Sequence, residues 1–296
     1  MTLKWSYLQN ANAMDVGRYF EYDEDALKQF DKWLCFLKKP KTKLLEIGSG
    51  SGYFTNLLLK LFPQIELSCL EYDEELVRTL AKKFDNKITI INEAIENTSI
   101  KSNTYDNAIS HIVIHNLNDP LKGILQMARV VKPGGHVVTI EPLPASRHYY
   151  PNSDVESAFD LLDKVQMYKC IEWSAKNDIN PQGNPWQYCY PKFFEEVGLK
   201  NITCFGWTSI FTLSDERFDF DEKKKWLKMK YNFMKSKEDE TTNILLAADN
   251  KEEEIKKAHE IIYNYYDELL KASKEQLAHI HEQEIVHRII TIGTKN

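Results

Sequence analysis

The sequence has few of the features that mark membrane or secreted proteins. Its 296 residues contain no apolar run that approaches the ~20 residues of a membrane-spanning helix. The first ten residues, MTLKWSYLQN, lack the charged start and continuous apolar stretch of a signal peptide. The five cysteines are odd in number and form no CxxC pair. We therefore expect a cytoplasmic protein with reduced thiols, no metal and no membrane partner.

Positive charge is also in deficit. The formal net charge is −6 and the pI is near 5.8, which argues against a broad nucleic-acid interface. We therefore expect no nucleic-acid partner. With 43% hydrophobic and 12% aromatic residues, the chain can bury a substantial core. This composition favours a globular protein, built as one large domain or as one domain with additions.

Residues 43–142 alternate between short apolar strands and amphipathic helices. The predicted strands are KLLEIG, IELSCLE, KITIINEA, YDNAISHIVI and HVVTIEP, and the predicted helices are TNLLLKLF, EELVRTLAKKF and DPLKGILQMARVV. Such alternation predicts an α/β fold with a parallel sheet and helices on both faces. Ligands of such sheets bind at the carboxyl ends of the strands.

A glycine-rich turn follows the first predicted strand. In LLEIGSGSGYF, the glycines 48, 50 and 52 come just after Glu46, where the strand turns into the first helix. A ligand can approach such a backbone closely, and the helix N-terminus can receive a negative group. Dinucleotide-binding turns have the spacing GxGxxG, whereas Tyr53 stands three residues after Gly50 here. A second acid, Glu71, lies at the end of the second predicted strand.

Taken in order, these motifs resemble the class I S-adenosylmethionine-dependent methyltransferases. The motifs are LLEIGSGSG, CLEYDEELV, IINEAIE and YDNAISHIVIHNLNDPLKGILQMARVVKPGG, and the last looks most like the branch with quinone-biosynthesis and many small-molecule methyltransferases. The resemblance covers about Lys43 to Pro142 and resumes near Pro191. It implies a Rossmann-like, seven-stranded, mostly parallel sheet with helices on both faces, and S-adenosyl-L-methionine as cofactor.

The resemblance also implies a set of cofactor-binding residues. Glu71 would accept hydrogen bonds from both ribose hydroxyls, and Tyr72 would cover one face of the adenine. Glu93 stands where the family often has an Asp near the adenine amino group, and Ala94 would contribute its backbone N–H. The residues expected to hold the methionine part are Glu46, Gly48, Ser49, Gly50 and Gly52.

Three residues are candidates for catalysis. His111 ends the fourth predicted strand, where it would line the cofactor site and accept a proton from the methyl acceptor. The alternative is that His111 only shapes the pocket or bonds the cofactor. His115 occupies a position where a histidine in this branch is often structural. Glu141, at the end of the fifth strand, is the alternative base or the anchor for a cationic substrate.

We expect four segments along the chain. Residues 1–40 form an N-terminal helical segment that packs on the core. Residues 41–214 form the methyltransferase core, with a substrate-cap insert at about 143–190. Residues 215–283 form a helical addition that serves as a lid or a dimer contact, so a homodimer is one possible assembly. Residues 284–296 supply the closing strand of the core.

The two additions carry further predictions. Aromatic residues of the insert could stack on a planar substrate or enclose a cation, or they could pack the insert's own small core. The candidate substrate-binding residues are Tyr19, His148, Tyr149, Trp186 and Tyr188. In the helical addition, Lys235 to Thr242 is a polar stretch that predicts a loop. An apolar stripe at helical spacing predicts a buried helix face, formed by Ile255, Ala258, Ile262, Tyr265, Tyr266 and Leu269.

The predicted function is methyl transfer to an oxygen or nitrogen atom of a small molecule by in-line displacement. The main rival among enzymes is a peptide or protein methyltransferase acting on a basic side chain. Two other classes stay open: a nicotinamide-dependent oxidoreductase, and a non-catalytic partner protein with the same fold. The GxGxG spacing argues against the oxidoreductase, and the retained acids and glycines argue against the non-catalytic protein.

Overall fold

A computed structural model describes residues 14–15, 18, 20–117, 119–143, 147–150, 152–176 and 186–296, with the backbone alone for residues 147, 166, 169–176 and 186–189. The chain divides into two compact units. The first unit comprises Met1–Ala145, Trp186–Ser209 and Val286–Asn296, and the second comprises Ser146–Pro185 and Ile210–Ile285. None of the described helices is long and apolar enough to cross a membrane.

The first unit is built on a mostly parallel sheet. The strands of the chain are β1 Lys43–Ile47, β2 Glu66–Leu70, β3 Thr89–Ile91, β4 Tyr105–His111, β5 Val131–Pro142, β6 Arg147–Tyr149, β7 Lys200–Thr212 and β8 Gln283–Thr294. The order is β3-β2-β1-β4-β5-β8, and β7 pairs with β8. The first five strands are parallel, whereas β8 runs antiparallel to β5. The Rossmann-like fold predicted from the sequence is confirmed.

The helices of this unit lie on both faces of the sheet. They are α1 Glu24–Trp33, α2 Tyr53–Leu61, α3 Glu74–Phe84, α4 Pro120–Val130 and α6 Trp186–Glu196. The intervening helix, α5, belongs to the second unit and is described below. Successive residues of β1 point to opposite faces of the sheet. Leu44 joins a core with Phe30, whereas Leu45 and Ile47 join a separate core with Met127. A buried parallel sheet needs an apolar layer on each side, and these two cores supply it.

The carboxyl end of β2 leads directly into a capped helix. Asp73 has an extended backbone, and its side chain accepts a hydrogen bond from the Glu75 N–H at the start of α3. Glu74 and Glu75 follow in the first turn, where negative charge is favourable. Asp73 is therefore the N-cap of α3. The cap fixes where β2 ends, and therefore where Glu71 lies.

The second unit is mainly helical. Its long helices are α5 Ser153–Lys176, α7 Phe220–Ala247 and α8 Glu252–Lys271, followed by the short α9 Lys274–Leu277. The short strand β6 pairs with Gln283–Ile285 of β8. Helix α8 packs against α5 and α7. The predicted stripe is buried at Ile255, Ala258, Ile262, Tyr266 and Leu269, and Tyr265 is half-buried.

The predicted loop at Lys235–Thr242 is wrong, because α7 runs through these residues without interruption. The segment is polar but not a helix breaker, and Lys237 pairs with Glu240 one turn later at 2.8 Å. Glu238 also accepts a hydrogen bond from the Tyr263 hydroxyl of α8 at 2.8 Å. The actual turn comes later, at Asp249, whose φ of +60° ends the helical path.

Candidate active site

The glycine turn between β1 and α2 has a left-handed backbone. The φ angles of Gly48, Gly50 and Gly52 are +65°, +55° and +78°, a region that favours glycine. A Cβ on Gly48 would lie 2.5 Å from Val113 Cγ2, and a Cβ on Gly52 would lie 2.4 Å from Phe84 Cε2. These two glycines are required by the protein's own packing. At Gly50 the nearest atom would be the Met14 sulfur at 3.7 Å, an ordinary van der Waals distance, so the protein's own packing does not require a glycine there.

Glu71 connects the end of β2 to the glycine turn. Its Oε2 accepts a hydrogen bond from the Gly50 N–H at 2.9 Å, and its Oε1 accepts one from the Asp73 N–H at 3.0 Å. The carboxyl group is buried, and burial raises its pKa. Asn92 donates to the Glu71 carbonyl oxygen at 2.8 Å. The structure thus brings together Gly50 and Glu71, which the sequence predicted as cofactor residues, and adds Asn92, for which the sequence carried no signal.

Glu46 lies beneath the turn, fully surrounded by protein. Its Oε2 accepts hydrogen bonds from the Thr55 hydroxyl at 2.6 Å and from the Cys69 thiol at 3.4 Å. Burial raises the pKa of Glu46 to about 7, although these hydrogen bonds partly counter the effect. The hydroxyl oxygen of Ser49 is buried and has no hydrogen-bond partner among the described residues. Glu46 is therefore protonated in a large fraction of molecules near neutral pH.

The predicted adenine contacts lie at the ends of β2 and β3. Tyr72 is half-buried beside Glu71, and Ala94 precedes a short 3-10 turn at Ile95–Asn97. The carboxylate of Glu93 accepts hydrogen bonds from the Thr98 hydroxyl at 2.7 Å, the Ser99 N–H at 2.8 Å and the Ser99 hydroxyl at 2.5 Å. These bonds lower the pKa of Glu93. Its side chain stabilises the following turn.

His111 ends β4 as a buried neutral imidazole. Its Nε2 contacts the hydroxyl of Tyr22, and its ring stacks on Phe54 with centroids 4.4 Å apart. Burial, together with the positive charges of Arg18 and Arg288, holds its pKa well below the usual range. Sequence reasoning missed Tyr22. No local pattern could have indicated it, because the contact joins residues 89 positions apart.

His115 and Glu141 form a second pair. The Nδ1 of His115 lies 2.6 Å from Glu141 Oε2, and the carboxylate is fully buried at the end of β5. Glu141 Oε1 accepts hydrogen bonds from the backbone N–H groups of Ile114 at 3.0 Å and Val113 at 3.3 Å. Ile112 has a φ of +57°, which is strained for a β-branched residue and turns the chain toward this carboxylate. Glu141 therefore orients His115, while His111 pairs with Tyr22.

The candidate substrate-binding residues are distributed over both units. In the second unit, His148 Nε2 lies 2.5 Å from the buried Glu282 carboxylate, and its ring stacks on Tyr150 at 4.3 Å. Tyr149 is exposed. Trp186 and Tyr188 lie in the first turn of α6, but their side chains, like Tyr19, fall outside the described residues. Tyr150 also stacks on Phe159 at 4.0 Å, as expected if the insert packs a core of its own.

Residues 45–139 match the family model described as a methyltransferase domain. The chain is 30% identical over 143 residues to an uncharacterized methyltransferase of Schizosaccharomyces pombe, covering 45% of this chain and 50% of that protein. It is 32% identical over 104 residues to the uncharacterized methyltransferase YdaC of Bacillus subtilis, covering 34% and 58%. The chain thus spans about half the length of these curated relatives.

A solved structure shares the fold. It is a protein of Anabaena variabilis described as a methyltransferase from an antibiotic biosynthesis pathway, with a TM-score of 0.52 and 13% identity over 90% of this chain and 97% of that one. The glycine turn, the Glu71 contact and the strand order all lie in or around the segment that matches the methyltransferase domain. S-adenosylmethionine is the cofactor of that class. Residues 45–139 therefore form a methyltransferase domain, and through it the chain is similar to the class I S-adenosylmethionine-dependent methyltransferases.

Proposed function

We propose that this protein transfers a methyl group from S-adenosylmethionine to an oxygen or nitrogen atom of a small molecule. The observation that carries the proposal is the bond between the Gly50 N–H and the buried Glu71 carboxylate at 2.9 Å. It joins the carboxyl ends of β1 and β2, where a Cβ on Gly50 would meet no atom closer than 3.7 Å. Open α/β sheets bind their ligands at this edge. When bound, the cofactor supplies an electrophilic methyl group on a sulfonium.

The donor set fits the cofactor. Each Glu71 oxygen takes one backbone N–H, and a carboxylate oxygen has a second lone pair to accept a ribose hydroxyl. Gly48 and Gly52 fix the turn by their positive φ angles. The Ser49 hydroxyl has no hydrogen-bond partner among the described residues, so it is available to bind the methionine part of the cofactor. Tyr72, Glu93 and Ala94 are proposed to surround the adenine.

A small acceptor suits the enclosed end of β4. Tyr22 and Phe54 cover His111, so that the imidazole is only 3% exposed. Any acceptor must displace the Tyr22 hydroxyl to reach the imidazole, and a small molecule requires less of the surrounding protein to move than a long polymer does. The net charge of −6 also offers no broad attraction to nucleic acid. Aligning the acceptor with the methyl group can lower the barrier by ~7 kcal/mol or more.

The proton of the acceptor would pass to His111. Because burial lowers the pKa of His111, its imidazole is unprotonated at neutral pH and able to accept a proton. The acceptor group would take the place of the Tyr22 hydroxyl at Nε2. His115, oriented by Glu141 at 2.6 Å, is the second candidate for this role.

Calorimetry with S-adenosylmethionine tests the proposal. We expect binding to the purified protein, and we expect Glu71→Ala to weaken it by ~1.5 to 3 kcal/mol because the ribose hydroxyls lose their acceptor. Glu66→Ala is the matched control, since Glu66 is an exposed carboxylate at the other end of β2. A wild-type protein that binds a nicotinamide cofactor but not S-adenosylmethionine would support the oxidoreductase and contradict the proposal.

A further inference from the structure

We infer that a cluster formed by Arg288, Glu21 and Trp207, each with a buried polar atom, binds the carboxylate of the methyl acceptor. The inference rests on the proposed function, because it assigns a substrate class to the same site. The cluster lies in the first unit, beside the pair formed by Tyr22 and His111. The sequence predicted none of its three members as a site residue.

Strand register places Arg288 at the edge where the acceptor should bind. Arg288 of β8 lies opposite Pro142, the last residue of β5, and Ile290 lies opposite Ile140. Ile140 in turn lies beside His111 of β4. Ile290 belongs to the same core as Tyr22, and Arg288, two residues away, points to the same face. Arg288 and His111 therefore share one face and one edge of the sheet.

The polar groups of the cluster are only partly paired. Arg288 Nη2 donates to Glu21 Oε1 at 2.7 Å, and the two side chains are 8% and 12% exposed. The Nε of Arg288, the Oε2 of Glu21 and the indole nitrogen of Trp207 are all buried, and none has a hydrogen-bond partner in the described part of the chain. A buried polar group without a partner carries the cost of lost hydration, and a ligand that bonds to it removes that cost.

Trp207 is close to both other members. A Cβ on Gly206 would lie 3.4 Å from the Arg288 carbonyl oxygen, so the neighbouring Trp207 lies on the strand beside Arg288. The ring of Trp207 is 6.2 Å from that of Tyr22, the residue after Glu21. The Ser209 hydroxyl also donates to the Glu21 carbonyl oxygen at 2.6 Å, which fixes the backbone of this segment. The unpaired groups are thus held on fixed backbone.

The charges of the region favour an anion. Arg18 and Arg288 both act on the buried His111 and Tyr22, and Glu21 is the carboxylate that opposes them. Among the described residues that act on Tyr22, two guanidinium groups stand against one carboxylate, which sums to one positive charge. Arginine matches the planar geometry of a carboxylate, and the indole N–H supplies a further donor. Glu21 Oε2 would accept a hydrogen from a hydroxyl or amino group of the same ligand.

These features define the ligand as a small carboxylic acid that also carries a hydroxyl or amino group. The surrounding rings suit an aromatic acid, because Trp207 packs against Phe30 at 4.9 Å and against Tyr22 at 6.2 Å. The hydroxyl or amino group is the natural methyl acceptor, since it is the nucleophilic atom of such a molecule.

The test uses the full chain saturated with S-adenosylhomocysteine. By calorimetry it is titrated with 3-hydroxybenzoate, 4-aminobenzoate and L-tyrosine, and with the primary amide of each. We expect at least one acid to bind at least ~10-fold more tightly than its amide, because the amide keeps the shape and loses the charge. Trp207→Phe, which keeps an aromatic ring but loses the indole N–H, should lower the affinity for that acid at least ~10-fold. The double variant Glu21→Gln with Arg288→Gln removes both charges without leaving one unpaired, and should do the same.

Arg78→Gln is the matched control, because Arg78 is an exposed arginine of α3. It should leave the acid affinity within ~2-fold. S-adenosylmethionine is titrated first into every variant. If the wild type fails to bind it, the proposed function falls. The inference alone is overturned if S-adenosylmethionine binds to the wild type but one of three results follows. These results are that no acid binds, that acids and amides bind with equal affinity, or that both cluster variants bind the acid as tightly as the wild type does.

Discussion

At the scale of single residues, Glu46 was predicted to bind the cofactor, and the structure places it in a buried, hydrogen-bonded environment. Burial raises its pKa from 4.5 to about 7. Between these values the folded protein holds a proton that the unfolded chain has released. The stability of the protein therefore falls as the pH rises through this window, and the loss is complete above the folded pKa.

Glu46→Gln should remove this dependence. A shift of this size corresponds to roughly 3 kcal/mol, at 1.36 kcal/mol for each pKa unit. We expect the variant to become more stable relative to the wild type by about that amount between pH 4.5 and pH 8, as measured by urea unfolding in matched buffers. Glu66→Gln, at an exposed carboxylate of β2, is the control, and its free energy of unfolding should depend on pH as that of the wild type does. If the free energy of unfolding depended on pH in the same way in Glu46→Gln and in the wild type, Glu46 would not have a raised pKa.

His111 supports a kinetic prediction once an acceptor is known. A general base at this position predicts that His111→Ala and His111→Gln both lose ~10²-fold or more in turnover while cofactor affinity changes little. Because the pKa of His111 is held well below its usual range, the rise of the wild-type rate should lie on the acid side of pH 6.5 and be absent in both variants. Near-normal turnover of His111→Gln would make His111 a positioning residue.

The residues of the site differ in how far the sequence could predict them. Gly50 and Glu71 belong to a motif with fixed spacing, and the structure joins them by a 2.9 Å hydrogen bond. Tyr22 and Arg288 have no such motif. Arg288 reaches Glu21 across 267 positions of the chain, and only the strand register brings them together. Contacts of this kind depend on the whole sheet, so a single sequence contains no local pattern for them.

At the scale of secondary-structure elements, periodicity predicted burial better than it predicted boundaries. The stripe of α8 is buried as expected, because 3.6-residue spacing places Ile255, Ile262 and Leu269 on one face. The break predicted at Lys235–Thr242 is wrong, because polarity alone does not end a helix. Lysine and glutamate are good helix formers, and an exposed stretch of α7 can be polar all along its outer side.

We expect His259 to make the packing of α8 sensitive to pH. It is only 4% exposed, neither ring nitrogen has a partner among the described residues, and burial lowers its pKa. The unfolded chain takes up a proton near pH 6.5, whereas the folded protein resists it, so stability falls as the pH drops through 6.5.

His259→Phe should remove this acid sensitivity. We expect the wild type to lose stability relative to the variant by up to ~1.4 kcal/mol for each pH unit below 6.5, because the phenylalanine ring cannot be protonated. Thermal unfolding at pH 7.5 and pH 5.5 measures the difference. His279→Phe, at an exposed histidine of the same unit, is the control. If the wild type and His259→Phe lost equal stability between pH 7.5 and pH 5.5, His259 would not be the cause of the acid sensitivity.

At the scale of the whole molecule, the sheet could be predicted because its pattern is local. Each strand and helix of residues 43–142 carries its own periodicity, and right-handed crossovers leave few ways to connect them. The second unit was harder to foresee. Helix α5 and helices α7 and α8 are separated in the chain by α6 and β7, yet α8 packs against both α5 and α7. An apolar stripe indicates that a helix is covered, but it does not identify the helix that covers it.

The proposed cofactor site also predicts a change in hydrogen exchange when ligand binds, confined to two segments of the first unit. A ligand present at 100 times its Kd, and bound by the native state alone, stabilises that state by ~2.7 kcal/mol. We expect S-adenosylhomocysteine at this concentration to slow amide hydrogen exchange at residues 46–52 and 71–73 by up to ~100-fold, because the ligand must leave before these segments open. The turn at Lys132–Gly135, at the amino end of β5, is the internal reference and should change least.

Gly50→Val provides the matched negative control for this experiment. Gly50 has a φ of +55°, which valine adopts only with strain, and its side chain would enter the space that the ligand needs. The variant should show no ligand-dependent protection at either segment, even at concentrations that saturate the wild type. Protection that persists in a folded Gly50→Val protein, or that appears equally at Lys132–Gly135, would place the cofactor away from the glycine turn. Loss of protection at 46–52 together with 71–73 would instead support one ligand that spans the ends of β1 and β2, as the bond between Gly50 and Glu71 implies.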